Sequence, residues 1–395
     1  MRALALALVF VPVVALAQPP KRAMPDYDGR ADEAPSAWLW LPRVALSPLY
    51  LLSEYGVRRP LGAIVTNVER VQLPQPTFGP SFLGRVEWGV APSLVLDHAS
   101  ASGARVSLGL ILYADHLLAD AHTLGLRVTY GTHGWIELDV DNRVHLDDHR
   151  LSLAVGFHAR DDAVFGDARY GVARFGVALA DRLTLPHGHL DAALELRNTQ
   201  YTHVPELDHA HLQLVPSAGV SYDDVLHAAL TVAAPIALTG DSADTLEVTS
   251  ELGVVVDVYR RRRIGLRLHA SVAAPLDDGP LLRASTSRLG GEQPMRGFEE
   301  GELVGESALV AIVEYRWPVW VWLDGQLFAE LGNAFGRHFE GLDADQLRVS
   351  FGIGMRAPED EPGTFELLLA AGTDTLGDGL GLTHVRVVFG TTSGF

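Results

Sequence analysis

The chain has 395 residues, of which 48% are hydrophobic and 20% charged, and its formal net charge is −18. This negative balance argues against nucleic acid as a partner, because phosphate backbones are bound by basic surfaces. No cysteine is present, so the chain can form neither disulfide bonds nor thiolate metal sites.

The N-terminal residues 1–17 have the pattern of a secretory signal peptide. Arg2 gives a positive start, residues 3–14 are apolar, and Ala-Leu-Ala at 15–17 offers a small-residue cleavage site. A membrane-anchoring helix is the less favoured alternative, since the apolar run is too short to span a bilayer. We therefore expect the protein to be exported through a cleaved signal peptide.

Two segments separate the signal peptide from the rest of the chain. Residues 18–46 are rich in proline and charge, and we expect them to form a flexible periplasmic tail. Residues 47–81 contain two helix starts, Ser47-Pro48 and Pro60. The second start is followed by apolar residues with helical spacing, Leu61, Ile64, Val65 and Val68. This helical segment covers part of a core in one interpretation and packs against a barrel mouth or membrane surface in the other.

From residue 82 onwards the hydrophobic pattern has a period of two, which is typical of β-strands. Between residues 105 and 112, for example, valine and leucine alternate with arginine, serine and glycine. A soluble sandwich also alternates in this way. Segments of about ten residues, however, match the length that a tilted strand needs to cross a bilayer. Charged and glycine-rich polar faces suit a wet lumen, and the terminal Phe395 resembles the final aromatic residue of bacterial outer-membrane barrels.

The alternating segments predict an all-β fold, a transmembrane antiparallel β-barrel of about sixteen strands over residues 82–395. The segments are 83–96, 104–114, 120–130, 134–144, 150–157, 168–180, 188–198, 212–222, 225–238, 245–258, 263–275, 304–316, 319–331, 346–356, 363–372 and 382–390. Connections after even-numbered segments are mostly short. Several connections after odd-numbered segments are longer, namely 158–167, 199–211, 276–303 and 332–345. Short periplasmic turns and long outer loops are the asymmetry expected of such a barrel.

The longest connection joins the eleventh and twelfth predicted strands and contains Met295-Arg296-Gly297-Phe298. An apolar residue followed by Arg-Gly-Phe at this place resembles the inward-folding sixth loop of the BamA/TamA-like outer-membrane assembly factors, also called bacterial surface antigen barrels. The resemblance implies that this connection lies inside the barrel.

Two downstream stretches add to the resemblance. The sequence Glu-Tyr-Arg-Trp-Pro at 314–318 is similar to the end of that family's strand twelve. The sequence Phe-Ala-Glu-Leu-Gly at 328–332 is similar to its F-x-D-x-G motif, with glutamate in place of aspartate. The alternation along these two strands turns Glu314, Phe328 and Glu330 towards the lumen.

We predict that Arg296 forms ion pairs with Glu314 and Glu330, because a guanidinium in a narrow lumen needs carboxylate partners in fork geometry. Gly297 would allow a close backbone approach, and Phe298 would wedge against the inner wall. The alternative is an exposed loop whose arginine meets solvent. We call the predicted set the lumen latch: Arg296, Gly297, Phe298, Glu314, Phe328, Glu330 and Gly332.

The resemblance implies insertion or translocation of polypeptides, or of lipids, at the outer membrane, with weak pairing between the first and last strands. The chain departs from the best-known members, because the space before residue 82 is too short for their periplasmic repeat domains. It resembles a short branch without such repeats. The alternative function is a passive outer-membrane channel or structural barrel without insertase activity.

No arrangement of residues predicts an enzyme, a cofactor or a metal site. The histidines at 203, 209 and 211, with Glu206 and Asp208, have spacing that a metal could use. A solvated loop is favoured, since no rigid scaffold is implied. The expected partners of this monomeric barrel are outer-membrane lipids, including lipopolysaccharide, and client polypeptides. Its expected location is the bacterial outer membrane.

Overall fold

A computed structural model gives the structure of the barrel-forming part of the chain. The described residues are 87–100, 102–115, 121–166, 168–202, 210–223, 225–239, 243–259, 262–277, 286–291, 293–320, 323–356 and 364–392. The predicted signal peptide (1–17), tail (18–46) and helical segment (47–81) lie outside the described residues, as does Phe395.

Sixteen strands form the barrel, as the sequence predicts. The first eight are β1 (Glu87–Ala99), β2 (Gly103–Asp115), β3 (His122–Gly131), β4 (Ile136–Leu146), β5 (His149–Phe165), β6 (Ala168–Leu185), β7 (Gly188–Thr202) and β8 (Ala210–Asp223). The second eight are β9 (Leu226–Ala233 continuing as Ile236–Ala237), β10 (Thr245–Tyr259), β11 (Arg262–Pro275), β12 (Ser307–Trp320), β13 (Leu323–Phe335), β14 (Arg348–Arg356), β15 (Thr364–Thr375) and β16 (Leu382–Thr392). Pro235 interrupts β9 because proline cannot donate a backbone hydrogen bond to the sheet.

Each strand pairs antiparallel with its neighbours in the chain, and β16 pairs with β1 to close the sheet. We call the β1–β16 pairing the seam. Among the described residues, which end at 392, it comprises five residue pairs, from Val95 opposite Gly390 to Ala99 opposite Arg386. By comparison, β1 and β2 are paired over thirteen positions. Closure matters in a bilayer, because hydrocarbon offers no hydrogen-bond partner to a free sheet edge.

Exposed apolar side chains cover the outside of the barrel. On β2, Leu108 and Leu110 are 61% and 51% exposed, whereas Arg105 and Ser107 are 6% and 1% exposed. The same alternation exposes large apolar side chains on other strands, including Tyr130, Leu153, Phe175, Leu179, Leu252, Leu266, Val313, Phe351 and Leu369. Apolar surface on this scale suits a hydrocarbon environment, because contiguous exposed patches are otherwise small on soluble monomers.

The end of β5 and the start of β6 differ from the prediction in their length. The connection expected at 158–167 is mostly strand, since β5 continues to Phe165 and β6 begins at Ala168. The pairing shifts register between Arg160 and Ala163. The charged residues of this stretch favour a loop when read locally, but in the barrel they meet opposite charges. Arg160, for example, donates a 2.9 Å hydrogen bond to Glu300.

The connection between β11 and β12, which we call the lumen loop, returns into the barrel. It contains a short hairpin in which Ser287–Leu289 pairs with Leu303–Gly305. The connection between β13 and β14 contains two 3₁₀ turns, Arg337–Phe339 and Ala344–Gln346. Among the described residues, no helix has the length and hydropathy needed to cross a membrane.

Candidate functional site in the barrel lumen

The lumen loop has a compact backbone between its two hairpin strands. The Gly290 amide donates to the Pro294 carbonyl at 2.8 Å, and the Gly291 amide donates to the Phe298 carbonyl at 3.0 Å. Met295 is fully buried and has a φ of 72°, a left-handed conformation that is uncommon for a residue with a side chain. The resulting turn presents the next residue, Arg296, to the barrel wall.

The structure brings Arg296 to the inner faces of β12 and β13. Its Nε donates to Glu330 Oε1 at 2.9 Å, and its backbone amide donates to Glu330 Oε2 at 2.8 Å. Its Nη2 lies 3.3 Å from Glu314 Oε2. The guanidinium carbon also lies 3.6 Å from the centre of the Phe328 ring, within the range of a cation–π contact. One arginine thus contacts three of the predicted residues.

Glu314 is a shared partner of several arginines. This buried carboxylate accepts from Arg296, from Arg267 Nη2 at 3.3 Å and from Arg316 Nε. A single buried carboxylate surrounded by guanidinium groups has its desolvation offset by charge-assisted hydrogen bonds. Arg267 was not predicted from sequence, because it lies on β11, outside the stretches that carry the family resemblance.

Gly297 occupies a place where no side chain fits. A Cβ at this residue would lie 2.3 Å from the Ala371 carbonyl oxygen of β15. The Gly297 amide donates to Ser350 Oγ at 2.9 Å, and Ser350 Oγ in turn donates to Glu330 Oε2 at 2.8 Å. Ser350, on β14, therefore joins the loop backbone to the same carboxylate that holds Arg296. Sequence reasoning missed this residue, since a lone serine on a strand gives no signal.

Phe298 packs against the inner wall, at the position where a wedge was predicted. It is fully buried in an apolar cluster with Leu289, Met295, Leu303, Ala308, Val310 and Ile312. Its ring centre lies 5.0 Å from that of His384 on β16. Gly332, the last predicted latch residue, is opposite Val310, and a Cβ there would lie 2.2 Å from the Leu309 carbonyl oxygen. The glycine permits close pairing of β12 and β13 beneath the loop.

Three acidic residues beyond Phe298 attach the loop to β2, β5 and β16. Glu299 Oε2 accepts from Arg105 Nη2 of β2 at 2.9 Å. Glu300 pairs with Arg160 of β5 at 2.9 Å, and Glu302 lies 2.5 Å from His384 Nε2 of β16. The loop therefore spans the lumen from wall to wall. The adjacent glutamates at 299 and 300, directly after the Arg-Gly-Phe tripeptide, are the sequence signal that could have indicated these contacts.

The side chain of Arg386 connects the seam to the lumen loop. Its Nε and Nη2 donate to the two carboxylate oxygens of Asp97 on β1, at 2.9 and 3.0 Å. Its Nη1 donates to the Gly291 carbonyl of the loop at 2.6 Å. This fork adds a side-chain link to the five backbone pairs described between the first and last strands. Arg386 was not predicted from sequence.

Within the described residues, one group offers three potential metal ligands, Glu137, Asp139 and His158 on β4 and β5. His158 Nε2 lies 2.9 Å from Asp139 Oδ1, and Arg127 lies 3.6 Å from Glu137. These contacts form an ion-pair cluster on the lumen wall. Of the histidine-rich stretch considered from sequence, residues 203–209 lie outside the described residues. His211 is buried on β8, with its ring centre 6.0 Å from that of Tyr201.

Comparison with known proteins supports the fold. No family model matches the chain, and no curated protein matches it in sequence. The crystal structure of BamA from Haemophilus ducreyi lacking POTRA domains 1–3 is similar with a TM-score of 0.57 and 13% identity, over 76% of this chain and 70% of that chain. CdiB from Acinetobacter baumannii is similar with a TM-score of 0.53 and 10% identity, over 77% and 65%. At such identities these likenesses show the fold, an outer-membrane type of β-barrel.

Proposed function

We propose that the protein inserts or translocates polypeptides at the outer membrane, opening at the seam between β1 and β16. The observation that carries the proposal is the lumen loop seated in the barrel, with Arg296 bonded to Glu330 and Glu314. These residues lie in the stretches that resemble the BamA/TamA-like assembly factors. The sixteen-strand fold, similar to those of BamA and CdiB, agrees with the same assignment.

The seam has features that favour opening. In the described part of the chain it has five paired positions, compared with thirteen between β1 and β2, so fewer of the described backbone hydrogen bonds need to break. Close pairing at the Gly390 end depends on glycine, because a Cβ there would lie 2.2 Å from the Leu94 carbonyl oxygen. The Asp97–Arg386 fork adds a side-chain contact that an incoming strand or lipid could replace.

The proposed activity requires no catalytic residue and no cofactor, because it rests on strand exchange and on perturbation of the bilayer. We place the protein in the bacterial outer membrane as a monomeric barrel, on the basis of the predicted signal peptide and the apolar outer surface. Its outer surface would contact membrane lipids, including lipopolysaccharide, and its seam would contact client polypeptides.

The direct test is folding of an unrelated outer-membrane barrel into liposomes that contain the purified protein. We expect the client to fold faster than in empty liposomes. Conductance without any acceleration would favour a passive channel, the second candidate function. The charged lumen is compatible with such a channel, although the loop that crosses it narrows the path.

An engineered disulfide distinguishes opening at the seam from a general effect of the barrel. Leu96 and Phe389 are directly opposite across the seam, so L96C with F389C can form a bond that locks it. Phe157 and Phe175 are opposite on β5 and β6, and F157C with F175C locks an ordinary strand pair. Oxidation should abolish acceleration in the seam variant alone, and reduction should restore it. Equal activity of both oxidised variants would contradict opening at the seam.

A further inference from the structure

The lining of one cavity inside the barrel has a charge opposite in sign to that of the whole chain. A cavity of about 1430 Å³ lies between the lumen loop and the wall. Fourteen arginines and eleven aspartates or glutamates line it, a formal excess of three positive charges, whereas the whole chain carries −18. Low-dielectric walls with an excess of one charge raise the local concentration of ions of the opposite sign.

Within this cavity, four residues form an arginine cluster: Arg160 on β5, Arg174 on β6, Arg197 on β7 and Arg288 in the lumen loop. Two of them are neutralised, because Arg160 pairs with Glu300 at 2.9 Å and Arg197 pairs with Glu195 at 2.6 Å. Among the described residues, Arg174 and Arg288 form no ion pair. Arg174 also experiences repulsion from Arg197 and Arg288.

Arg174 and its neighbour on β7 contain hydrogen-bonding atoms that have no protein partner. The Nε of Arg174 is inaccessible to solvent and forms no hydrogen bond, and the same holds for Oγ1 of Thr199. The two residues are directly opposite each other in the β6–β7 pairing. Arg174 lines the cavity, so an anion bound there would supply an acceptor to its guanidinium group.

The wall beside the cluster leaves room for a ligand. Four small residues, Ala154, Gly156, Gly176 and Ala178, line the same cavity on β5 and β6. They lie towards the end of the barrel where β5 begins, which is the periplasmic end in the predicted orientation. A Cβ at Gly176 would lie 3.0 Å from Glu195 Oε1, so the carboxylate that pairs with Arg197 borders this space.

We infer that the arginine cluster binds a soluble phosphate-type oxyanion, either inorganic phosphate or a small phosphate ester. Guanidinium groups recognise phosphate through paired N–H donors, and the four residues bring such donors from three strands and the loop to one place. Lumen-facing residues cannot reach a headgroup in the surrounding bilayer, which favours a soluble ligand. This inference goes beyond the proposed insertion of polypeptides, and each can fail without the other.

Calorimetric titration of the detergent-solubilised barrel with inorganic phosphate, at constant ionic strength in chloride, tests the site. We expect saturable binding that weakens as salt is raised, since salt screens the attraction. R174Q should weaken binding by about tenfold or more, the size of one lost charge-assisted contact. R263Q removes the same charge from an exposed residue near the start of β11 that pairs with Asp257, and it should leave binding unchanged.

Three results would overturn the inference. The first is the absence of saturable phosphate binding to the wild-type barrel. The second is equal binding by R174Q and R263Q when heat-dependent gel migration shows that both variants are folded. The third is binding of a short-chain phosphatidate alone, which would assign the site to a lipid headgroup instead of a soluble anion.

Discussion

The guanidinium group of Arg296 lies between two carboxylates and an aromatic ring. Glu330 and Glu314 accept its hydrogen bonds, and Phe328 lies under the guanidinium plane. Both carboxylates are buried, so each depends on positive partners for its stability. Glu314 has Arg267 and Arg316 in addition, whereas the nearest cation to Glu330 is Arg296 itself.

Replacing Arg296 by alanine should release the lumen loop. Removing one partner of a buried ion pair costs about 3–5 kcal/mol, because the remaining charge stays buried without compensation. We expect proteinase K to cleave the loop at least about tenfold faster in R296A than in the wild type. R337A, which changes an exposed arginine of an outer connection, is the control. Unchanged cleavage of R296A would show that the ion pairs do not hold the loop.

Substitution of Gly297 tests the close approach of the loop to β15. In G297A the new methyl group would collide with the Ala371 carbonyl, and the temperature at which the folded gel band disappears should fall. Gly125 on β3 provides a matched control, since its nearest neighbour to a Cβ is 3.8 Å away. G125A should keep the wild-type temperature. Equal behaviour of the two variants would mean that the loop adjusts without strain.

The contacts of Arg296 could be predicted from sequence because both glutamates lie within 34 residues of it on consecutive strands. Their inward direction follows from the alternation of those strands. Ser350 and Arg386 could not be predicted in this way. Ser350 has no distinguishing neighbours in sequence, and Arg386 meets Asp97 across 289 residues. Only closure of the barrel brings these two together.

One side chain, that of Arg386, contacts both the seam and the lumen loop. Arg386 bonds to Asp97 across the seam and to the Gly291 carbonyl in the loop. His384, two residues earlier on β16, adds a contact to Glu302 of the loop. The loop therefore has two attachments to β16, and one of them is made by the side chain that also bonds across the seam.

The variant D97N should loosen the seam while keeping the shape of the side chain. We expect faster amide hydrogen exchange at residues 95–99 and 386–390, and also at residues 286–291 of the loop. D191N breaks a comparable arginine fork between β6 and β7, where Asp191 pairs with Arg182, and serves as the control. If D97N changed exchange at the seam only, the seam and loop would be independent.

Acidification should leave the attachment of the loop to β5 intact over a wide range. The guanidinium of Arg160 lowers the pKa of Glu300 to about 2, although about half of this side chain is exposed to the lumen. A carboxylate with a lowered pKa stabilises the folded state above its unfolded value, and the effect is lost as the pH falls towards 2. Protection of the loop segment against hydrogen exchange, corrected for intrinsic rates, should thus be similar at pH 7 and pH 5. A marked loss between these values would contradict the pair.

The number of strands and the direction of their side chains could be predicted, because period-two alternation is a local signal. The extents of β5 and β6 could not. Arg160, Asp161 and Asp162 interrupt the apolar pattern, yet Asp162 pairs with Arg105 and Arg160 with Glu300. The partner of Arg160 is 140 residues away, so its compensating charge cannot be read from the sequence around it.

The barrel has two different surfaces, one that faces outwards and one that faces the lumen. Aliphatic and aromatic side chains lie outside, and arginines with their acidic partners lie inside around the lumen loop. The net charge of −18 does not describe the lining of the lumen cavity, which has an excess of three positive charges. The proposed insertion of polypeptides at the seam and the proposed anion binding in the lumen would use different parts of this architecture.

Thiol labelling of single cysteines on β6 tests this two-surface architecture most directly, since the chain has no cysteine of its own. Ala178 and Ala180 line the lumen cavity, and Leu179 between them is exposed on the outside. In liposomes, a small charged maleimide should react with A178C and A180C and should not react with L179C. Reaction at L179C alone, or equally at all three positions, would contradict a barrel with hydrocarbon outside and water inside.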